Sequence, residues 1–267
     1  MEPARIAQAA ELLVRARRTG EPLRELPAEC KPTSVAEVNA IIDEVTRQFG
    51  EPPAGWKIAF LYKPREPALR APLYASRLFR SPGRVPLALV PSRRIEPEIT
   101  FRATRDLPPR AAVYRPEEVA DAVVACPSLE LVDTRFDTRH RGIRQMLDAR
   151  PTWYEANTDH ITHGAFVVGE GCADWRDVDF ARQRVVMRAG DRVIVESTGG
   201  HAFIDPFLPV VVMVNQLRRG PGLIAGQVVA TGSFTGFFEV EADTPISAEF
   251  VGFGTAEATI VSRPGSE

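Results

Sequence analysis

The sequence is poor in cysteine, in long apolar runs and in excess charge of either sign. Its three cysteines, Cys30, Cys126 and Cys172, are odd in number and far apart. That excludes a disulfide framework and a clustered zinc site, and predicts reduced thiols in a cytoplasmic protein. The longest apolar run, Phe207 to Val214, contains Pro209 and falls well short of the roughly 20 residues that cross a bilayer. The first residues lack the apolar core and cleavage site of a secretory signal. Thirty-three basic residues against 35 acidic ones give a net charge of −2, and the basic residues are dispersed. No nucleic acid and no membrane is therefore expected as a partner.

What remains is an ordinary globular composition, 44% apolar and 25% charged over 267 residues, enough for one large domain or a domain with a small appendage. The 23 prolines favour short strands and turns over long helices. Residues 3–18 are expected to be helical, with Ile6, Ala9, Ala10, Leu13 and Ala16 on one face. A second helix is expected to start at Ser34, with Glu37 completing a capping box, and to end at Gly50. These two helices predict an N-terminal cap over residues 1–54, ahead of a β-rich domain at 55–267.

Strands are expected at 56–61 and 94–102, with an irregular Pro- and Arg-rich segment between them. A short helix is expected from Pro116 to Cys126, stopped by Pro127, and then a strand from Leu129 to Phe136. Residues 164–169 read as a strand, 183–196 as a hairpin, and Asp205-Pro206 as the start of a helix through Leu217. The rest, from Gln227 to Val261, reads as strands separated by glycines. Few helices among many non-local strands imply a closed or rolled mixed sheet, an α+β, β-rich fold.

The most informative stretch is Arg94-Ile95-Glu96-Pro97-Glu98-Ile99-Thr100-Phe101. On a strand, alternate side chains share a face. Glu96, Glu98 and Thr100 then line one face, while Ile95, Ile99 and Phe101 can enter a core. Glu130, between Leu129 and Leu131, has a similar setting. Adjacent carboxylates repel unless a cation or a proton intervenes, and three oxygen donors suit Mg²⁺ or Mn²⁺. Spacing alone leaves this open against ordinary solvent-facing glutamates on an exposed sheet face.

The order of further motifs narrows the choice. Gly55-Trp56-Lys57-Ile58 is followed by Ile95-Glu96-Pro97-Glu98-Ile99 and Arg105-Asp106-Leu107-Pro108. Leu129-Glu130-Leu131-Val132-Asp133, Gly226-Gln227-Val228-Val229 and Thr231-Gly232-Ser233 come next. In this order the chain resembles the fumarylacetoacetate hydrolase superfamily over residues 1–261. It is most similar to the hydratase/decarboxylase branch, which includes 2-keto-4-pentenoate hydratases and 4-oxalocrotonate decarboxylases. The resemblance implies a mixed β-roll or barrel of the fumarylacetoacetase C-terminal type. It also implies Mg²⁺ or Mn²⁺ on Glu96, Glu98 and Glu130, and a small 2-keto acid or its dienol as substrate. By the same resemblance Lys57 would transfer a proton or bind the substrate carboxylate, with its pKa drawn down by burial and the metal.

The chain also departs from the family. Pro72-Leu73-Tyr74-Ala75 stands where many hydratases carry Pro-Asp-Phe-Gly, so Leu73 replaces an aspartate. Thr158-Asp159-His160-Ile161-Thr162 stands for Ala-Asp-Asn-Ala-Ser. Thr162 keeps a hydroxyl, and His160, with Asp159, is expected to supply a proton-transfer group titrating near neutral pH, against the alternative of a hydrogen-bonded surface histidine. Gly199-Gly200-His201 and Thr231-Gly232-Ser233 are expected to bring backbone close to the substrate, making Gly200, Thr231 and Ser233 candidate substrate contacts, although plain turns would read the same. The arginines from Arg135 to Arg150 could bind a second substrate carboxylate or form a solvated face.

The expected activity is a metal-dependent lyase, hydratase or decarboxylase, in a homo-oligomer that could also associate with a sister hydratase or decarboxylase subunit. The alternatives are a C–C hydrolase of acylpyruvates and a non-catalytic partner subunit.

Overall fold

The computed structural model describes residues 1–60, 67–137 and 152–262, and counts below refer to these. Thirteen strands form two sheets, and five α-helices accompany them. The strands are β1 (Pro53–Ala59), β2 (Leu69–Tyr74), β3 (Leu78–Arg80), β4 (Gly83–Pro86), β5 (Arg94–Ala103), β6 (Val123–Val132) and β7 (His163–Val168). They continue with β8 (Arg184–Ala189), β9 (Arg192–Thr198), β10 (Val228–Ser233), β11 (Phe238–Glu239), β12 (Pro245–Phe250) and β13 (Gly254–Val261). The helices are α1 (Pro3–Thr19), α2 (Val35–Phe49), α3 (Pro116–Ala120), α4 (Thr152–Asn157) and α5 (Phe207–Leu217). No helix among the described residues is long and apolar enough to cross a membrane.

The larger sheet runs β2-β1-β10-β5-β6-β7-β3, with β11 paired to the end of β5. The smaller runs β4-β13-β12-β8-β9. One face of the larger sheet, with Ile95, Ile99, Phe101, Leu129, Leu131 and Val229, meets Met187, Ala248, Phe250 and Ile260 of the smaller sheet and the apolar stripe of α5 in one continuous core. The opposite face is buried too, but carries a mixture of small apolar groups and charges. Leu73, standing at the expected aspartate position, joins Cys126, Phe166, Val168, Val228 and Ala230 in a cluster on that face.

The N-terminal helices α1 and α2 pack on each other, and Phe136 and Ala156 close their cluster. Val38 and Ile42 of α2 also cover Leu69 and Ala71 of β2. At the start of α2 the Ser34 hydroxyl accepts from the Glu37 amide at 3.3 Å. The expected reciprocal bond to Ser34 is displaced by one residue: the Glu37 carboxylate accepts instead from the Thr33 amide and hydroxyl at 2.7 and 2.9 Å.

Two elements differ from expectation. The helix after Pro116 ends at Ala120, and β6 begins at Val123 and runs through Pro127 to Val132. The β-branched pair Val123-Val124 favours a strand, and Pro127 sits opposite Ile99 while its carbonyl still accepts from Gly169. Within the proline-rich segment after β1, the described residues from 67 onward are also more ordered than their composition suggests. Leu69–Tyr74 pairs antiparallel with β1, a long-range contact that local pattern does not carry. The arginines beyond Asp137 lie outside the described residues.

Candidate metal centre

Strand pairing brings the three glutamates together. Glu96 of β5 lies directly opposite Glu130 of β6, and Glu98 lies opposite Ser128, one step along the same face. One carboxylate oxygen from each of the three falls within 4.8 Å of the others. Glu98 and Glu130 are fully buried, and Glu96 is half-buried at the rim. Solvent-facing alternation is thereby excluded: this face is interior.

Lys57 completes the cluster. It is registered with Ala230, which is registered with Thr100, so all three share the glutamate face. The small side chain at 230 leaves room for the lysine stem, and its buried ammonium donates to both oxygens of Glu130. The Gly232 amide donates to Glu98 Oε2 at 3.2 Å, and Glu98 Oε1 is buried with no partner. The Ser233 hydroxyl accepts from the Thr235 and Gly236 amides at 3.2 and 2.9 Å. Thr231 is turned away: its hydroxyl donates to the Ile99 carbonyl at 2.7 Å.

The electrostatics follow from one ammonium among three carboxylates. Burial and the neighbouring Glu130 charge push Glu96 up to about 8. The same two causes raise Glu98 well above the usual carboxylate range. Burial works against Glu130 as well, but the Lys57 ammonium and His163 outweigh it and hold Glu130 down at about 2. Lys57 departs from expectation. Burial does lower its pKa, yet the charges of Glu130, Glu98 and Glu96 more than offset this and leave it above its ordinary value. Fully ionised, the four groups leave two negative charges unbalanced in a dry site, which one divalent cation would cancel. The carboxylate set, the partnerless oxygen and the charge deficit all fit Mg²⁺ or Mn²⁺.

A residue that the sequence did not single out belongs to this cluster. His163 Nδ1 lies 3.5 Å from Glu130 Oε1, and neither ring nitrogen has a hydrogen-bond partner. Burial holds its pKa down at about 4. Plain alternation would put His163 on the core face with Ala165 and Val167. The β6–β7 register shifts between Leu131 and Val132, so that His163 pairs with Val132 and faces Glu130 instead. Gly164 permits the irregularity, since a Cβ there would lie 2.6 Å from the Leu131 carbonyl oxygen.

Asp159, His160 and Thr162 form a second buried group. The residues His160, Ile161 and Thr162 all have φ between 50° and 56°, a left-handed run that costs non-glycine residues roughly 1–2 kcal/mol each. Surrounding bonds hold it. Arg17 Nη2 of α1 donates to Asp159 Oδ1 at 2.7 Å and to His160 Nδ1 at 3.1 Å. The amide and Nε of Arg135 donate to Asp159 Oδ2 at 2.6 and 3.0 Å. Because arginine cannot accept, His160 Nδ1 carries no proton, and its Nε2–H donates to the Tyr74 hydroxyl 3.0 Å away. Burial and the Arg17 charge push His160 well below the imidazole range. The expected titration of His160 near neutrality is therefore corrected: a proton on Nδ1 would point at a guanidinium. The Thr162 hydroxyl donates to the Ile161 carbonyl at 2.7 Å.

Gly200 has φ 108°, and a Cβ there would lie 2.1 Å from the Phe234 carbonyl oxygen. The close backbone approach expected at this glycine is made to protein, at the strand that carries Thr231 and Ser233.

No family model matches the chain. It is 24% identical over 249 residues to the 2-keto-4-pentenoate hydratase of Burkholderia vietnamiensis, covering 91% of each chain. It is 23% identical over 250 residues to that of Paraburkholderia phymatum, again over 91% of each. Its fold superposes with a TM-score of 0.77 on 4-oxalocrotonate decarboxylase from Pseudomonas putida G7, a structure complexed with magnesium and adipate. That match covers 98% of this chain and 99% of the other at 18% identity. Maleylpyruvate hydrolase from Sphingobium sp. SYK-6, in complex with manganese and pyruvate, gives 0.51 at 16% identity, over 77% of this chain and 69% of the other. The chain is thus similar along its sequence to 2-keto-4-pentenoate hydratases and shares, over nearly its whole length, the fold of 4-oxalocrotonate decarboxylase.

Proposed function

We propose that the chain is a divalent-metal-dependent lyase acting on a small 2-keto acid or its dienol, by hydration or decarboxylation. The observation that carries this reading is the buried set Glu96, Glu98 and Glu130, whose charge exceeds what Lys57 balances and whose Glu98 Oε1 is left without a partner. Glu96, Glu98 and Glu130 would hold Mg²⁺ or Mn²⁺. Such an ion supplies Lewis-acid stabilisation of negative charge developing on a 2-keto acid.

The protein's own groups do the rest. The Lys57 ammonium neutralises Glu130 and presents protons beside the carboxylates, so it can bind a substrate carboxylate or pass a proton from Nζ. His163 is neutral, with Nδ1 3.5 Å from the same glutamate and Nε2 left without a partner. Asp159 and His160 act by holding the left-handed turn that delivers Thr162 and His163, a role their saturated hydrogen bonds favour over direct proton transfer. Leu73 and the rest of its apolar cluster exclude water from the same face.

The hydratases related in sequence and the decarboxylase related in fold support this class of reaction. We also infer a cytoplasmic homo-oligomer, consistent with the reduced thiols. The purified single chain should turn over a panel of 2-hydroxydienoates, oxalocrotonates and acylpyruvates with Mg²⁺ or Mn²⁺, and lose that turnover with EDTA. Carbon dioxide release identifies a decarboxylase, water addition a hydratase and C–C cleavage a hydrolase. Turnover untouched by thorough chelation would overturn the reading, and no turnover of any member would favour a non-catalytic subunit.

A further inference from the structure

The Glu98 carboxylate is held by one peptide group, and that peptide is held by a histidine far from the carboxylates in sequence. Strand β10 leaves its register with β5 between Ala230 and Ser233. The peptide joining Thr231 to Gly232 is thereby freed from the ladder. Its N–H, on Gly232, donates to Glu98 Oε2 at 3.2 Å. Its carbonyl, on Thr231, lies 3.1 Å from His201 Nε2. The Thr231 hydroxyl meanwhile takes the Ile99 carbonyl.

The tautomer of His201 is fixed by its other nitrogen. The Phe203 amide donates to Nδ1 at 3.4 Å, so the proton sits on Nε2 and is donated to the Thr231 carbonyl. The ring is 5% exposed and lies against Phe203 and Phe234, at 6.0 and 5.3 Å between centroids. Two glycines make this placement possible. A side chain at Gly200 would strike the Phe234 carbonyl, so the backbone could not come down onto β10. Gly232 has φ 113°, outside the range that other residues adopt readily. Hydrogen bonds at the two ends of one peptide polarise each other.

We propose that His201 is a positioning residue of the carboxylate cluster: its Nε2–H, through the peptide between Thr231 and Gly232, fixes Glu98 Oε2 and leaves the partnerless Oε1 free to ligate a cation. This rests on the reading of the cluster as a divalent-metal site. Partners that orient a metal ligand typically change affinity about 10–100-fold when removed.

The test is Mn²⁺ binding to the full-length, metal-free protein, measured by titration calorimetry well below the unfolding temperature. His201→Leu removes the donor, His201→Asn is too short to reach, and His201→Gln keeps a donor near Nε2. The expected result is Mn²⁺ binding weakened about ten-fold or more in the Leu and Asn variants and within about three-fold of the parent in the Gln variant. At saturating Mn²⁺, kcat should change far less than the metal activation constant. If His201→Leu fails to fold, His201→Asn decides. A folded Leu or Asn variant that binds Mn²⁺ as tightly as the parent would overturn the role of His201 while leaving the metal reading intact. A parent protein that binds no Mn²⁺ would overturn both.

Discussion

Two buried ionic groups lie near one another in this fold, and they are balanced in opposite ways. Around Asp159, both carboxylate oxygens are saturated by Arg17 and Arg135. Burial alone would raise the Asp159 pKa, yet these two guanidinium groups pull it below the usual carboxylate range. Around Glu98, three carboxylates share one ammonium, an oxygen is left without a partner, and two of the three pKa values are pushed up. Equal burial thus has opposite outcomes according to whether the chain itself supplies the counter-charge. A group completed from within holds the fold. A group left short of positive charge is arranged for something the chain does not contain.

The sharpest way to break this contrast is to remove a carboxylate. Glu98→Gln or Glu130→Gln should lower metal-dependent turnover by about 10³-fold or more, since a bound metal contributes several kcal/mol of charge stabilisation. Circular dichroism of the same variants should remain that of the parent. Turnover within ten-fold of the parent would place the chemistry elsewhere.

The converse change, Asp159→Ala, strands Arg17 and Arg135 in the interior. Breaking a buried pair in this way typically costs about 3–5 kcal/mol, read as a lower midpoint in urea unfolding. An unchanged midpoint would show that this network does not hold the turn at 160–162.

Opposite pKa shifts give opposite pH dependences. Glu96 titrates at about 8 in the metal-free folded protein and near the ordinary carboxylate value when unfolded. Between those values the folded state binds the extra proton, so this group's contribution to stability is full at low pH and is lost as pH rises toward 8. Asp159, shifted down, contributes stability that is present at neutral pH and lost in acid, below its unfolded pKa. The gain in melting temperature on adding Mn²⁺ should therefore grow from pH 6 to pH 8, because cation and proton compete for the same carboxylates. A gain that shrinks over this range would contradict the assignment.

The smallest effect is expected from Tyr74→Phe, which removes the hydroxyl that accepts from His160. The loss should be about 1 kcal/mol of unfolding free energy, with Mn²⁺ affinity unchanged within error of calorimetry.

Legibility in the sequence followed the range of the interactions. The alternation of Glu96, Glu98 and Thr100 against Ile95, Ile99 and Phe101 is a local pattern, and one strand is enough to read it. That Glu130 lies opposite Glu96 depends on pairing between strands, which the ordered family motifs supplied and spacing did not. His163 escaped notice because an irregularity at Gly164 reverses its facing, and no local period records that. His160 was legible as a departure from the family, but its function was not, since its partners Arg17 and Tyr74 lie 143 and 86 residues away. The strand at Leu69–Tyr74 was hidden by Pro72 and revealed only by its pairing with β1.

Lys57 reaches from β1 to a glutamate on β6 and supplies, with its own charge, part of what the three carboxylates need. The chain therefore brings part of the counter-charge itself. Folding need not wait for an ion, because like-charged neighbours are already tempered when the strands come together. Loading then adds a cation to a cluster that is already assembled, unlike small zinc modules that collapse only around their metal.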